Sequence, residues 1–290
     1  MAIEPRTKRE RRSRDILLGP GIFWLVLFFL IPLVIILVYS FVDRGKFGGI
    51  VWTFQLENYA RFADPLYLGI FGRSFLIAII TTVVCLAIGY PMAYWLASRP
   101  PRTRSAFLLL MIIPFWTNFV VRTYAWRIIL ARQGIINQAL IGLKLVSADN
   151  PPALLFNERA VIIGLIYVWV IAMVLPLYAS LTGLDRSLLE AARDLYANPV
   201  RAFLKITVPL TIPGIVAGSI LVFVPSFGAF VTPDMLGGGK ADMIGNLIQQ
   251  QFGEAQDWPF GSAISAILMF VMLFGTLLYF RSLRSEARQT

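Results

Sequence analysis

Six stretches of this chain are long enough and poor enough in charge to cross a lipid bilayer, and no other feature restricts its fold as strongly. A transmembrane helix needs about 20 apolar residues, because the hydrocarbon core is about 30 Å thick. Of the 290 residues, 58% are hydrophobic and only 14% are charged. We therefore expect an all-α membrane protein with six transmembrane helices. The predicted spans are 16–42, 74–98, 105–130, 160–184, 211–233 and 258–280.

The first span follows an Arg-rich start, RTKRERRSR, which is typical of the n-region of a signal peptide. The apolar run behind it is too long for the core of a signal peptide, and no small-residue cleavage site follows. We therefore expect an uncleaved membrane span. No internal repeat and no separate soluble domain is apparent in the rest of the chain.

The flanking charges predict the orientation of the spans. Sixteen of the 26 Lys and Arg residues lie in the N-terminus, the 2–3 loop, the 4–5 loop and the C-terminus. The positive-inside rule places these four segments in the cytoplasm. The predicted organisation is a basic cytoplasmic segment at 1–15, a transmembrane domain at 16–280 and a cytoplasmic tail at 281–290, with a cytoplasmic loop at 185–210. A net charge of +10 in so apolar a chain indicates basic loops beside a membrane rather than nucleic-acid binding.

The residues that most enzymes need are absent from the sequence. There is no histidine, and the single cysteine, Cys85, lies inside an apolar run, which excludes an internal disulfide. We find no catalytic carboxylate pair and no metal-binding set. Ser219 and Ser226 are typical of helix-packing positions. The run MLGGGKAD lacks the spacing of a phosphate-binding loop and indicates a flexible outer loop.

One cytoplasmic stretch is patterned rather than merely polar: SLLEAARDLYANPVRAFLKITVPL, residues 187–210. Ser187 and Glu190 have the spacing of a capping box at a helix start. Asn198 and Pro199 suit the N-cap and first position of a second helix that stops near Pro209. The residues that share an apolar arc on the first helix are Leu188, Ala191, Ala192, Leu195 and Tyr196. Such a pair of helices is either a linker resting on headgroups or a projection that docks into a cytoplasmic partner.

This stretch resembles the EAA loop of bacterial ABC-importer permeases, in which the loop is a coupling helix that docks into the ATPase subunit. Ile206, Val208 and Pro209 match the later part of the pattern, and Tyr196 stands where the family normally has glycine. A bulky ring at that turn puts the efficiency of coupling in doubt. The resemblance implies a type I ABC importer permease with a cytoplasmic coupling helix. The implied coupling residues are Glu190, Ala191, Ala192, Asp194, Tyr196 and Pro199.

Four further segments, DPLY, GYPMAYWLA, PFWTNFVVRTYAW and IGN…DWPFG, resemble the first permease subunit of spermidine/putrescine importers. The resemblance covers nearly the whole chain. It implies a second homologous permease, an ATPase homodimer on the cytoplasmic side and an extracytoplasmic polyamine-binding protein. It also implies that ATP and Mg²⁺ bind the partner ATPase, with no cofactor in this chain.

The chemistry of the spans bears on the cargo. A polyamine needs carboxylates or aromatic faces along its route, and no carboxylate lies in the middle of a predicted span. Pro225, Gly228 and Pro233 favour a broken fifth helix, which membranes tolerate where backbone lines a cavity or packs on protein. Simple kinking for packing is the alternative. The candidate residues of the path are Asp234, Trp116, Tyr124, Phe227 and Phe230, and for each of them a packing or solvent-facing role is the competing interpretation.

Arg122 opposes this interpretation, because an arginine in the path would repel a polycation. We expect it to pair across a subunit interface or to reach the outer surface. The same machine carrying another organic cation, an amino-acid derivative or an anion remains an alternative. A carrier working alone is an alternative of a different class, although it would need intramembrane acidic or histidine residues to bind a coupling ion.

Overall fold

The computed structural model of the chain describes residues 18–45 and 49–286. The predicted cytoplasmic segment at 1–15 and the last four residues of the predicted tail lie outside the described residues. Contacts divide the chain into two compact units. One comprises residues 1–64 with 250–271, and the other comprises 65–249 with 272–290.

The described residues are mostly helical, and their long helices are the predicted spans. Four helices are long and apolar enough to cross a membrane by themselves: α1 (Leu18–Tyr39), α3 (Pro65–Ala97), α7 (Glu158–Thr182) and α13 (Trp258–Glu286). Two bent pairs bring the count to six if each pair is one span: α4 (Pro101–Trp116) with α5 (Phe119–Ile129), and α9 (Pro199–Leu210) with α10 (Ile212–Phe227). Short helices occupy the loops: α2 (Glu57–Phe62), α6 (Ile135–Gly142), α8 (Arg186–Asp194), α11 (Val231–Gly237) and α12 (Ile244–Phe252).

The third span is not one straight helix over 105–130, as the charge pattern predicted. Helix α4 ends in a 3₁₀ turn at Ile113–Trp116, and the chain then turns by 90° into α5. Thr117 is extended, and Asn118 caps α5 by accepting a hydrogen bond of 2.8 Å from the N–H of Val120. The sequence contains the reason, because Asn is a strong N-cap and starts a new helix at the bend.

The approach to the fifth span bends as well. Pro209 has no N–H to offer the carbonyl of Lys205, and α9 widens just before it into a π-helical segment at Phe203–Thr207. The chain bends by 64° between α9 and α10. The second loop helix ends at Leu210, one residue past Pro209, and therefore near the proline as predicted.

Helices α3, α7 and α10 pack against one another and form the core of the larger unit. Small residues allow the close approach, since a methyl group added at Gly218 would lie 2.7 Å from the sulfur of Met173. A methyl at Gly214 would lie 2.5 Å from the Cβ of Ser180. In a membrane, where lipid is as apolar as leucine, such close packing replaces the hydrophobic effect as the force between helices.

In the smaller unit, Asp257 lies just before α13 and connects several of the loop segments. Its side chain is 3% exposed and forms an ion pair of 2.7 Å with Arg61 of α2. Its second oxygen accepts a hydrogen bond from the N–H of Phe260. Arg44, in the two-stranded ribbon of β1 (Asp43–Arg44) and β2 (Ile50–Val51), donates to the carbonyl of Ala255. This network explains the acidic residue of the DWPFG segment as an N-cap and ion-pair partner.

Candidate coupling site and substrate path

The predicted coupling loop begins with helix α8, whose N-cap is Asp185 rather than Ser187. A carboxylate oxygen of Asp185 accepts a hydrogen bond of 2.9 Å from the N–H of Ser187. This bond lowers the pKa of the Asp185 carboxyl. The predicted capping box is therefore wrong, because Ser187 is the second residue of the helix and Glu190 lies beyond its first turn. Asp and Ser are nearly equal as N-caps, and the negative charge of Asp is additionally stabilised by the helix dipole.

The predicted coupling residues on α8 differ in their exposure. Glu190, Ala191 and Asp194 are exposed, whereas Ala192 is buried. The predicted apolar arc is not a buried face, since Leu188 is 45% and Leu195 82% exposed. Helix α8 thus packs on its own chain through Ala192 and presents acidic and apolar side chains outward, as a docking helix requires.

Tyr196, two residues after the end of α8 at Asp194, has a left-handed backbone with φ of 56°. The N–H of Ala197 bonds to the carbonyl of Ala192, which closes the helix in a Schellman motif. Glycine is the usual residue in this conformation because it has no side chain to clash. The structure therefore explains why a glycine suits this position. The phenol ring of Tyr196 is 97% exposed, so it projects from the turn without disturbing it.

The second helix of the loop starts as predicted. Asn198 caps α9 by accepting a hydrogen bond of 2.9 Å from the N–H of Val200, and Pro199 occupies the first helical position. Pro199 is exposed.

A cavity of about 360 Å³ opens beside α8. It is lined by the ends of α3, α4 and α7, by Thr207 and by Leu189 and Glu190 of α8. Arg104 lines the same cavity, and its guanidinium lies 5.8 Å from the ring centroid of Tyr178. Glu190 therefore faces a space shared with a basic residue of its own chain, while its carboxylate stays accessible.

The candidate residues of the path have different surroundings. Trp116 is 82% exposed at the 90° bend, and Tyr124 is half exposed on α5. Phe227 is fully buried, and its ring packs edge-on against Phe71 and Phe75 of α3. In this state Phe227 therefore joins α10 to α3. Phe230 is half exposed beside the break in the fifth span, and Asp234 is exposed in the first turn of α11.

The fifth span is broken as predicted, between Phe227 and Val231. The carbonyl of Ala229 would normally receive a bond from residue 233, which is a proline without an N–H. Beyond the break, α11 packs on α7, where a methyl group added at Gly164 would meet Thr232 and Leu236. The run MLGGGKAD, predicted to be a flexible loop, ends α11 in a turn with left-handed Gly238 and Gly239.

The start of α12 is seated on this break, which sequence reasoning missed. A methyl group added at Gly245 would lie 2.4 Å from the carbonyl oxygen of Gly228 and 2.5 Å from that of Ala229. Asn246 donates a hydrogen bond of 2.9 Å to the carbonyl of Phe230. The hydroxyl of Ser74 on α3 accepts from the N–H of Ile244. The IGN segment therefore attaches the start of α12 to the break in the fifth span.

Arg122 lies on α5, past the bend. Its Nε is buried without a hydrogen-bond partner among the described residues, and its guanidinium lies 5.0 Å from the ring centroid of Phe115. No ion pair to Arg122 is formed within the described part of the chain.

Comparison with known proteins identifies the family of this chain. The profile of the family described as binding-protein-dependent transport system inner membrane component matches residues 89–285. This chain belongs to that family. It is accordingly a multi-pass component of the inner membrane and a permease subunit rather than an enzyme.

Two relatives of this permease match almost its whole length. The spermidine/putrescine transport system permease protein PotB of Salmonella typhimurium strain SL1344 is 43% identical over 277 residues, which is 96% of each chain. PotB of Escherichia coli K12 is 44% identical over 261 residues, or 90% of this chain and 94% of its own. The resemblance predicted from the EAA run and the four further segments is confirmed.

Solved structures show the same fold. A chain from a bacterial ABC transporter involved in the import of the acidic polysaccharide alginate superposes with a TM-score of 0.73, at 17% identity, over 95% of this permease and 98% of that chain. A chain of the MetNI methionine ABC transporter superposes with a TM-score of 0.55 over 77% of this permease and 98% of that chain. The predicted fold class, a type I ABC importer permease, is confirmed.

Proposed function

We propose that this permease takes up polyamines, of which spermidine and putrescine are the candidates, by alternating access in an ATP-driven importer. The observation that carries the proposal is the 43–44% identity, over nearly the whole chain, to permeases named for spermidine and putrescine. The broken spans do not by themselves select a cargo.

The coupling role belongs to α8 and the turn that follows it. Glu190, Ala191, Asp194, Tyr196 and Pro199 are exposed and available to a partner, whereas Ala192 anchors the helix to its own chain. The partner in this proposal is an ATPase homodimer that binds ATP and Mg²⁺ on the cytoplasmic side. Both chain termini then lie in the cytoplasm as well.

The route has the chemistry of a weak cation path. Asp234 is exposed beyond the broken fifth span and offers a carboxylate at its entrance. Trp116, Tyr124 and Phe230 are exposed aromatic residues, whose ring faces attract ammonium groups without a buried ion pair. A second homologous permease would complete the path, and an extracytoplasmic polyamine-binding protein would deliver the cargo.

The membrane potential explains why such a path needs no strong site. Each positive charge that enters a negative interior gains about 2.3 kcal/mol per 100 mV. A trivalent polyamine therefore gains roughly 7 kcal/mol at 100 mV. The importer has to receive the substrate, gate its passage and prevent its return, rather than drive it against the electrical gradient.

Uptake measurements test the proposal. Cells that lack their own polyamine importers would carry this chain with the genes beside it, with and without the ATPase subunit. We expect saturable uptake of labelled spermidine or putrescine that disappears without the ATPase.

Two results would contradict the proposal in different ways. Uptake that persists without the ATPase would indicate a carrier working alone. If an assembled complex takes up no polyamine, the cargo is different, and an anionic or zwitterionic compound that Arg122 attracts becomes the leading candidate.

A further inference from the structure

Two buried hydroxyl groups flank the break in the fifth span. Ser226 is the second-last residue of α10 and Thr232 is the second residue of α11. Both residues are 0% exposed. Neither side-chain oxygen has a hydrogen-bond partner among the described residues. Ser74 and Thr82 on the neighbouring helix α3, by comparison, donate to the carbonyl four residues earlier. That ordinary solution is absent at the break.

The backbone between the two hydroxyls is also short of partners. The carbonyls of Gly228 and Ala229 receive no hydrogen bond from the described residues. For Ala229 the cause is Pro233, which has no N–H to donate. The oxygens of Gly228 and Ala229 face the Cα of Gly245, which offers them only a weak C–H contact.

Buried polar groups without hydrogen-bond partners destabilise the fold unless a ligand or water satisfies them. An unpartnered buried polar group loses its hydrogen bonds to water without replacement, so each such group in a native fold calls for a bound water, an ion or a ligand to satisfy it. Helix packing, the interpretation that the sequence favoured for Ser226, does not require a hydroxyl, because alanine would fill the same space without the cost. Helix packing therefore leaves the hydroxyls of Ser226 and Thr232 unexplained.

We propose that the break in the fifth span binds a primary ammonium group, through the hydroxyls of Ser226 and Thr232 and the carbonyls of Gly228 and Ala229, when α12 moves away from it. The site deepens the polyamine function proposed above and rests on it. In the state described here Gly245 covers the two carbonyls, so the site is closed.

The donor and acceptor inventory selects the ligand. Carbonyl oxygens can only accept hydrogen bonds, so a group that satisfies them must be a donor, which excludes an anion. A primary ammonium carries three N–H donors and can bridge carbonyl and hydroxyl oxygens together. Because no carboxylate takes part, the group is held weakly and can be released, as passage through a transporter requires.

Substitutions that remove each hydroxyl with the least change in side-chain volume test the proposal. Ser226→Ala and Thr232→Val would be introduced together into the full importer, and Ser262→Ala would be the matched control, because Ser262 is also fully buried with an unpartnered hydroxyl but lies on α13. The readouts are the melting temperature of the purified importer and the concentration dependence of labelled spermidine and putrescine uptake.

The two interpretations differ in the KM that they predict, and the melting temperature shows that the double variant is folded. If the hydroxyls serve the substrate, the double variant keeps or raises its melting temperature, while KM for both polyamines rises about tenfold and ATP hydrolysis remains dependent on the receptor. The control keeps the KM of the wild type. Unchanged KM in a double variant, or an equal rise in the control, overturns the site.

The failure of the site can be told apart from the failure of the polyamine function. Polyamine uptake by the wild type with no effect of the double substitution removes the site alone. An assembled wild-type importer without polyamine uptake removes the function, and the site that rests on it is overturned as well.

Discussion

The contact between Gly245 and the broken fifth span makes a sharp prediction for Gly245→Ala. The added methyl would lie 2.4 Å and 2.5 Å from two carbonyl oxygens and 2.8 Å from the carbonyl carbon of Ala229. All three atoms belong to the backbone, so no side chain can rotate away. Restoring an ordinary contact of 3.4 Å requires α12 to move by about 1 Å.

A shift of that size affects the neighbouring hydrogen bonds. The bond from Asn246 to the carbonyl of Phe230 is 2.9 Å long, and the bond from the N–H of Ile244 to Ser74 is 2.7 Å. Each contributes about 1 kcal/mol, and overpacking costs about 1–3 kcal/mol. We expect Gly245→Ala to destabilise the seating of α12 by about 2 kcal/mol.

Two measurements on the purified importer check this value. Hydrogen exchange of the amides in 244–252 should become about 30-fold faster, because local opening becomes easier by that energy. The melting temperature should fall by about 5 °C. Gly72→Ala is the matched control, since a methyl at Gly72 in α3 meets nothing within 4 Å, and alanine favours a helix interior. Equal exchange and equal melting temperature in Gly245→Ala and Gly72→Ala would refute the reasoning.

Three further substitutions test the coupling loop and the entrance. Glu190→Lys should abolish uptake and receptor-stimulated ATP hydrolysis while the chain still inserts, and intact uptake would count against docking through this residue. Tyr196→Gly should raise the melting temperature, because the left-handed backbone costs a tyrosine about 1 kcal/mol, yet it should weaken retention of the ATPase during purification. Retention equal to the wild type would assign no contact to the ring. Asp234→Asn should slow uptake of the triamine more than that of the diamine, and an equal effect on both would remove this carboxylate from the route.

The membrane spans could be predicted because their signal is local and large. Runs of apolar residues determine α1, α3, α7 and α13, and no tertiary contact is needed to recognise them. The break in the fifth span was also predictable, since proline and glycine act on the backbone of their own helix. Both features depend only on residues within the same helix, so the sequence was sufficient to predict them.

The errors arose where two local signals competed. Asp185 and Ser187 both suit an N-cap, and the sequence pattern favoured Ser187 because Glu190 completes a capping box with it. In the structure the carboxylate of Asp185 takes the amide of Ser187 and moves the helix start by two residues. At the bend after α4, the long run of uncharged residues predicted one continuous span, so the N-cap signal of Asn118 was overlooked.

Long-range contacts could not be predicted at all. Gly245 packs closely against the carbonyls of Gly228 and Ala229, which lie 17 and 16 residues earlier in the chain. This close contact is possible because glycine has no side chain. The ion pair of Arg61 and Asp257 joins residues 196 positions apart. No periodicity or motif spacing carries this information.

The bend after α4 also alters the argument about Arg122. Twelve α-helical residues and four 3₁₀ residues rise about 26 Å, which is close to the full hydrocarbon thickness of about 30 Å. If α4 crosses along the membrane normal from its start at Pro101, the 90° turn occurs near the opposite boundary of the hydrocarbon core, and α5 then runs along the interface. An aromatic residue such as Trp126 is typical of that level. An arginine there can reach headgroups or water, so its charge need not lie across the route of a polycation.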